Sequence, residues 1–176
     1  MYSQTGSEIV DICENIKRKP NLILTNNIIF NQRVLDLNVP IVVNKHDVLM
    51  NYLRYNSNIL KSEKVLITLH GYLRIIPEDI CTMFDMLNGH PGLITHYPEL
   101  KGKDPQVRAW EGNYPVIGSV VHHVTPGVDE GDVINAVGYT NICKSLEEIY
   151  CTLKKSSLES WLNVLNEFSE LGCELE

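Results

Sequence analysis

Several features that would each indicate a protein class are missing from this sequence. No apolar run approaches the roughly 20 residues that a membrane-spanning helix needs, and no basic stretch followed by an apolar one opens the chain. The five cysteines contain no CxxC pair, which predicts reduced thiols rather than a disulfide framework or a zinc site. We therefore expect a cytoplasmic protein without a membrane partner.

Positive charge is scarce as well. The 176 residues include 15 Lys and Arg against 22 Asp and Glu, which gives a net charge of −7. Because nucleic-acid affinity depends largely on basic side chains that neutralise phosphates, we expect no nucleic-acid partner. A hydrophobic fraction of 44% is ordinary for a folded protein, and the length suits one domain spanning residues 1–176.

The sequence does contain an alternation of strand-like and helix-like segments. Short apolar runs typical of buried strands occupy residues 21–25, 39–43 and 64–69. Segments with helical features occupy residues 8–19, 28–37, 47–60 and 78–86. This order predicts an α/β fold with a doubly wound, mostly parallel sheet, whose ligands bind beyond the carboxyl ends of the strands.

The second half of the chain predicts an antiparallel extension of that sheet and a long C-terminal helix. Residues 115–125 are strongly β-like, and residues 131–137 answer them across a turn. Residues 145–171 carry an apolar face at helical spacing, and Ser145 with Glu148 forms a capping-box pattern at its start.

The first strand of such a sheet is nearly absent. Ser3–Ser7 looks like the turn that follows a first strand, yet only Met1 and Tyr2 precede it, too few for an ordinary buried strand. After the turn, Ser7 can cap a helix that contains Glu8 in its first turn. Because a sheet without this strand has an unpaired edge that invites another chain, a homodimer is a hypothesis.

Asn88, His90 and Asp129 are the candidate catalytic residues, each placed on a loop at a strand end by neighbouring glycine or proline. Acyl transfer to an amine passes through a negative oxygen, and a side-chain amide such as that of Asn88 is suited to stabilise it. In an extended backbone His90 points the same way as Asn88, so both can address one carbonyl. A carboxylate such as Asp129 keeps an imidazole protonated and can relay a proton between nitrogens.

Simpler interpretations of the same residues stay open. An Asn before a Gly is most often a turn residue. A metal site could be built from His90, His96, His122 and His123 with Asp129, although no HxxxH pair or tight ligand spacing supports it, and we predict no metal. Since His122 and His123 are neighbours in one strand, they face opposite sides and at most one shares the cleft.

Taken together, these motifs resemble the folate-dependent formyltransferases, especially the members that formylate glycinamide ribonucleotide. The run Asn88-Gly89-His90-Pro91, followed by His122 and then Asp129-Glu130-Gly131, has the family's order and nearly its spacing. His70–Ile76 resembles the family's Gly-(Phe/Tyr)-Met-Arg-Ile segment at the pterin pocket, and Ser3–Ser7 resembles its first phosphate-binding turn. The likeness covers nearly the whole chain.

The resemblance implies a Rossmann-like sheet and transfer of the formyl group of 10-formyltetrahydrofolate to a primary amine of a small acceptor. It implies that Asn88 and His90 polarise the formyl oxygen and that Asp129 assists proton transfer. The folate would be bordered by Tyr72, Leu73, Arg74, Ile75, Val128, Glu130 and Gly131. The acceptor and its phosphate would lie toward Gly6, Ser7 and His122.

Two departures from the family concern the acceptor. Glu8 stands where the family has a neutral residue beside the phosphate, and the C-terminal helix around Ser156 and Ser157 lacks the acidic residue expected to receive the amine. An aminosugar nucleotide or a modified nucleotide is therefore an alternative acceptor. Other hypotheses are hydrolysis of the formyl donor and a non-catalytic binding module, while the acidic charge disfavours a tRNA-formylating role.

Overall fold

A computed structural model of the protein describes residues 1–29 and 31–173. Its helices are α1 (Ser7–Ile16), α2 (Gln32–Leu35), α3 (His46–Tyr55), α4 (Ser57–Ser62), α5 (Glu78–Met83), α6 (Pro105–Glu111) and α7 (Leu146–Cys173), with a short 3₁₀ helix at Pro98–Leu100. Its strands are β1 (Ile23–Thr25), β2 (Ile41–Val43), β3 (Ile67–His70), β4 (Met86–His90), β5 (Val116–His123) and β6 (Val133–Thr140). No helix within these described ranges is long and apolar enough to cross a membrane.

The strands form both parallel and antiparallel pairs. β1 and β2 are parallel, and the other strands follow one another in the order β3-β4-β5-β6, with β5 and β6 antiparallel. The predicted α/β fold, with its antiparallel extension and long C-terminal helix, is confirmed.

The chain folds as two compact units. Unit 1 consists of Met1–Asn88 and His123–Glu130, and unit 2 consists of Gly89–His122 and Gly131–Glu176. Each unit has its own apolar core. The single domain expected over residues 1–176 stays a prediction.

In unit 1, the first residues of the chain pair with β1. The Tyr2 N–H donates to the Leu24 carbonyl at 3.2 Å, and the Thr25 hydroxyl donates to the Tyr2 carbonyl at 2.9 Å. Tyr2 and Thr25 form a parallel bridge. The first strand is thus reduced to a single bridge residue, Tyr2, and is as short as predicted.

The same residues also bond to β3 on their other side. The His70 N–H donates to the Met1 carbonyl at 2.8 Å, and the Ser3 N–H donates to the Gly71 carbonyl at 3.2 Å. Met1–Ser3 therefore lies between β1 and β3 and occupies both edges. This segment fills the edge whose exposure suggested a homodimer, and the homodimer itself stays a prediction.

Tyr2 is buried despite the shortness of its strand. Its side chain is fully enclosed, at 0% exposure, among apolar residues of α1, β1 and α2, including Ile9, Ile23 and Val34. Burial of so large a side chain removes much apolar surface from water, which stabilises unit 1 around it. An ordinary strand length was therefore not needed for a buried first strand.

In unit 2, the long helix packs on the antiparallel pair through small polar side chains. The Ser119 hydroxyl in β5 donates to the Leu153 carbonyl at 2.9 Å and lies 2.8 Å from the Ser156 hydroxyl. The Ser160 hydroxyl donates to the Asn135 side-chain oxygen at 2.9 Å. Small buried residues let the helix approach the strands closely, and their hydroxyls are satisfied there.

Several predicted element bounds are wrong. The predicted helix over 28–37 is helical only at Gln32–Leu35, and Phe30 lies outside the described residues. The predicted helix over 47–60 is divided at Asn56 into α3 and α4. Local periodicity identified these segments, whereas packing against the rest of unit 1 determined where each helix stops.

The largest error concerns β4, which the sequence pattern did not predict. The helix expected over 78–86 ends at Met83, since Phe84 has an extended backbone, and Met86–His90 is a strand. Asn88 and His90 are therefore residues of a strand rather than of a loop. Asn and Gly are uncommon in strands, and sheet neighbours override that local preference here.

Replacement of Tyr2 tests the importance of the short first strand. We expect Tyr2→Ala to lower the free energy of unfolding by about 3–5 kcal/mol, because it removes a fully buried aromatic side chain. Urea unfolding followed by circular dichroism measures the change. Tyr55→Ala is the matched control, since Tyr55 is 92% exposed and its loss should change little. Equal stability of the two variants would contradict the structural role of Tyr2.

Candidate active site

The candidate residues Asn88 and His90 occupy alternate positions in β4. Side chains at positions i and i+2 of a strand project to the same face, so the extended backbone orients both in one direction. A side chain at the intervening position, Gly89, would project to the other face. Strand geometry is more rigid than loop geometry, which suits groups that must be positioned for catalysis.

His90 is anchored by one ring nitrogen. The residue is 5% exposed, and its Nε2 lies 2.9 Å from the Leu100 carbonyl oxygen. Because a carbonyl can only accept a hydrogen bond, Nε2 carries the proton and donates. This hydrogen bond fixes the orientation of the imidazole ring.

The acceptor of that hydrogen bond is itself held in place. The Arg108 guanidinium in α6 donates to the carbonyls of Leu100 at 3.2 Å and Lys101 at 2.8 Å. It also donates to the Glu99 carbonyl at 2.6 Å. Arg108 thus holds in place the backbone that orients His90, a role that the sequence did not suggest.

At Gly89, β4 lies in close contact with a side chain of α7. A Cβ atom at this position would collide with Nε1 of Trp161 and would lie 3.0 Å from its Cε2 atom. Trp161 is completely buried. Only a residue without a side chain fits between Asn88 and His90, so the indole of Trp161 sets the position of the strand.

Asp129 lies in the turn that follows β5. Its backbone is left-handed, with φ at 52°, a conformation that Asp and Asn tolerate better than most residues. The turn is connected to β4 within unit 1, because the Val124 N–H donates to the Met86 carbonyl at 2.9 Å. Val128 beside it is 49% exposed, and Glu130 is exposed as well.

The segment Tyr72–Ile75 combines one buried residue with exposed apolar neighbours. The Tyr72 hydroxyl lies 2.9 Å from Nδ1 of His46, and burial raises the pKa of Tyr72 to about 12. Leu73 and Ile75 are 66% and 67% exposed. Neighbouring apolar side chains that face solvent in this way are suited to contact a flat, partly apolar ligand.

The first turn lies against this segment in unit 1. The Leu73 N–H donates to the Ser3 hydroxyl at 3.0 Å. Gly6, not Ser7 as predicted, is the N-cap of α1, with φ at 66°, and a Cβ there would lie 3.0 Å from the Tyr2 ring. The prediction failed because the tight packing on Tyr2 fixes where the helix begins.

The two units divide the predicted site residues between them. Unit 1 holds Gly6, Ser7, Tyr72, Leu73, Arg74, Ile75, Asn88, Val128, Asp129 and Glu130. Unit 2 holds His90, His122 and Gly131. Unit 1 brings the first turn and the Tyr72–Ile75 segment together. His122 is buried and His123 exposed, as expected for adjacent residues of a strand.

Residues that sequence reasoning missed act on the predicted ones from a distance in the chain. Trp161 lies within the apolar helix face predicted over residues 145–171, and the sequence marks neither Arg108 nor His46 as functional. No local signal connects them with β4 or Tyr72. Among the described residues, no group of three or more His, Cys, Asp or Glu side chains is arranged to hold a metal ion.

Comparison with known proteins identifies the family. A family model described as formyl transferase matches residues 26–163, well over half of the chain. The chain belongs to the formyl transferase family. The prediction of a folate-dependent formyltransferase is thereby confirmed, and the family in general uses a formyl-folate as cosubstrate.

Solved structures share the fold of this formyltransferase. The phosphoribosylglycinamide formyltransferase from Campylobacter jejuni subsp. jejuni has a TM-score of 0.81 at 22% identity, over 95% of this chain and 94% of that one. The glycinamide ribonucleotide transformylase 1 from Geobacillus kaustophilus has a TM-score of 0.77 at 23% identity, over 93% and 95%. At these identities the likeness establishes the fold.

The close approach of Gly89 and Trp161 can be tested by a compensating pair of changes. We expect Gly89→Ala to lower the free energy of unfolding by about 1–3 kcal/mol, because the added methyl group overpacks the contact. Trp161→Phe removes Nε1 and so relieves this contact. The double variant should therefore lose less unfolding free energy than the sum of the losses in the two single variants. Thermal unfolding of all four proteins gives the coupling energy. Strict additivity would show that the two residues do not meet.

Proposed function

We propose that this formyltransferase moves the formyl group of 10-formyltetrahydrofolate to a primary amine of a small acceptor. The observation that carries the proposal is the placement of Asn88 and His90 at alternate positions of one strand, with the His90 ring anchored to the Leu100 carbonyl. Two polar groups on one face of a rigid strand are suited to address a single carbonyl oxygen.

The chemistry assigns a role to each group. The amine nitrogen adds to the formyl carbon, and the carbonyl oxygen becomes an oxyanion to which the Asn88 amide donates a hydrogen bond. His90, protonated at both nitrogens, adds positive charge toward that oxygen. The bond from this carbon to the folate nitrogen then breaks, and Asp129 carries the proton from the attacking nitrogen to the leaving one.

The proposed folate site uses the exposed apolar side chains of unit 1. Leu73, Ile75 and Val128 present apolar surface that a bicyclic ring would cover. The contact between the Tyr72 hydroxyl and His46 holds this segment in place. Arg74 contributes a positive charge near Tyr72. Glu130 and Gly131 complete the proposed border of the folate.

The acceptor is proposed to be a small molecule that resembles glycinamide ribonucleotide and approaches Gly6, Ser7 and His122. The alternative within the same chemistry is an aminosugar nucleotide or a modified nucleotide. The predicted absence of a nucleic-acid partner rests on the net charge of −7, and the cytoplasmic location rests on the scattered cysteines.

Purified protein incubated with 10-formyltetrahydrofolate and a panel of primary amines tests the function. We expect release of tetrahydrofolate that depends on one class of amine, with the formylated product detected by mass spectrometry. Release without any added amine would instead identify a formyl-donor hydrolase. Binding of folate with no release under any condition would identify a non-catalytic module.

The role of Asp129 can be tested separately. We expect Asp129→Asn to lower turnover by about 10²–10⁴-fold, because the proton-carrying carboxylate is lost while folate binding remains measurable. Asn also tolerates the left-handed backbone at this position, so the turn should keep its shape. Asp132→Asn, an exposed change nearby, is the matched control and should leave turnover unchanged. Full activity of Asp129→Asn would exclude the assigned role.

A further inference from the structure

The start of α1 carries a contact that the proposed reaction does not use. Glu8, in the first turn of α1, places its carboxylate Oε2 2.8 Å from Nδ1 of His70 at the end of β3. The His70 side chain is 5% exposed and that of Glu8 is 22% exposed. A buried histidine thus holds a carboxylate in the first turn of a helix.

The neutral form of His70 is sufficient to hold Glu8. Burial lowers the pKa of His70, although the Glu8 carboxylate acts to raise it. The second ring nitrogen, Nε2, lies 3.0 Å from the Thr68 hydroxyl. In the neutral ring Nδ1 donates to Glu8 while Nε2 accepts from Thr68, so both nitrogens are satisfied without an extra proton.

The donors that a helix start would present to an anion are partly engaged within the turn. The Ser7 N–H donates to the Thr5 hydroxyl at 3.3 Å, and the Ser7 and Thr5 hydroxyls lie 3.0 Å apart. A helix N-terminus ordinarily favours an anion through its N–H groups and its dipole. Here Glu8 already places a negative charge in that position.

We propose that the Glu8–His70 pair makes the start of α1 select acceptors that present a hydroxyl or ammonium donor there rather than a phosphate. The inference rests on the proposed function, in which the acceptor approaches Gly6 and Ser7. A phosphate would be brought next to the Glu8 carboxylate, and like charges so placed oppose binding. A hydroxyl or ammonium group would instead donate to the carboxylate.

Glu8 is then the specificity-determining residue, and His70 is the positioning residue that fixes it. The two come together in unit 1 because β3 is bonded to Met1–Ser3 and α1 begins shortly after that segment in the chain. Glu8→Gln keeps an oxygen that can accept from Nδ1 of His70 and removes only the charge. The variant therefore separates the effect of charge from the effect of the contact.

Binding of a matched pair of acceptors tests the proposal. Isothermal titration calorimetry of the full chain would measure glycinamide ribonucleotide and the same compound without its phosphate. We expect the dephosphorylated compound to bind about tenfold or more tightly than the phosphorylated one, and Glu8→Gln to remove or reverse that preference. Glu14→Gln on the same helix, where Glu14 is exposed and bonds to Arg33, is the control and should keep the wild-type ratio.

The outcomes distinguish this inference from the proposed reaction. Tighter binding of the phosphorylated compound to the wild-type protein, equal binding, binding of neither, or an unchanged ratio in Glu8→Gln would each overturn the inference. Formyl transfer could still be observed in any of those cases, and would then stand by itself. Conversely, a charge-dependent preference with no transfer to any amine would support the inference and contradict the proposed reaction.

Discussion

The backbone hydrogen bonds of Met1–Ser3 are the constraint on which unit 1 depends. Without this segment, the Leu24 carbonyl of β1 and the His70 N–H of β3 would lose their partners, which is costly in a protein interior. A segment this short suffices because its neighbours are short: β1 has 3 residues and β3 has 4. The enclosed Tyr2 ring then supplies the packing that an ordinary strand would have spread over several side chains.

The same constraint shapes the proposed acceptor end of the molecule. Gly6 lies against the Tyr2 ring, so α1 begins where the packing of Tyr2 permits. The helix then places Glu8 within reach of His70, whose backbone is bonded to Met1. One short segment therefore determines the strand pairing, the start of the helix and the position of a carboxylate.

In unit 2, a different kind of contact restrains the proposed catalytic strand. Trp161 lies where a side chain at Gly89 would be, and the Leu100 carbonyl holds the His90 ring. Arg108 in turn holds the backbone of Leu100. The glycine in the motif is thus explained by a helix packed behind the strand, and not by a turn.

The sequence by itself determined the α/β class, the antiparallel pair and the long helix. These features follow from hydrophobic periodicity and capping residues, which are visible within short stretches of the chain. It also indicated Asn88, His90 and Asp129 and the family that their motifs resemble, since each motif is a short run of residues and the runs follow one another in the family's order. Only the tertiary structure decided that Asn88 and His90 stand on a strand, that Tyr2 is buried, that Trp161 packs against Gly89 and that His70 holds Glu8. Those facts depend on contacts between residues far apart in the chain, for which the sequence carries no periodic signal.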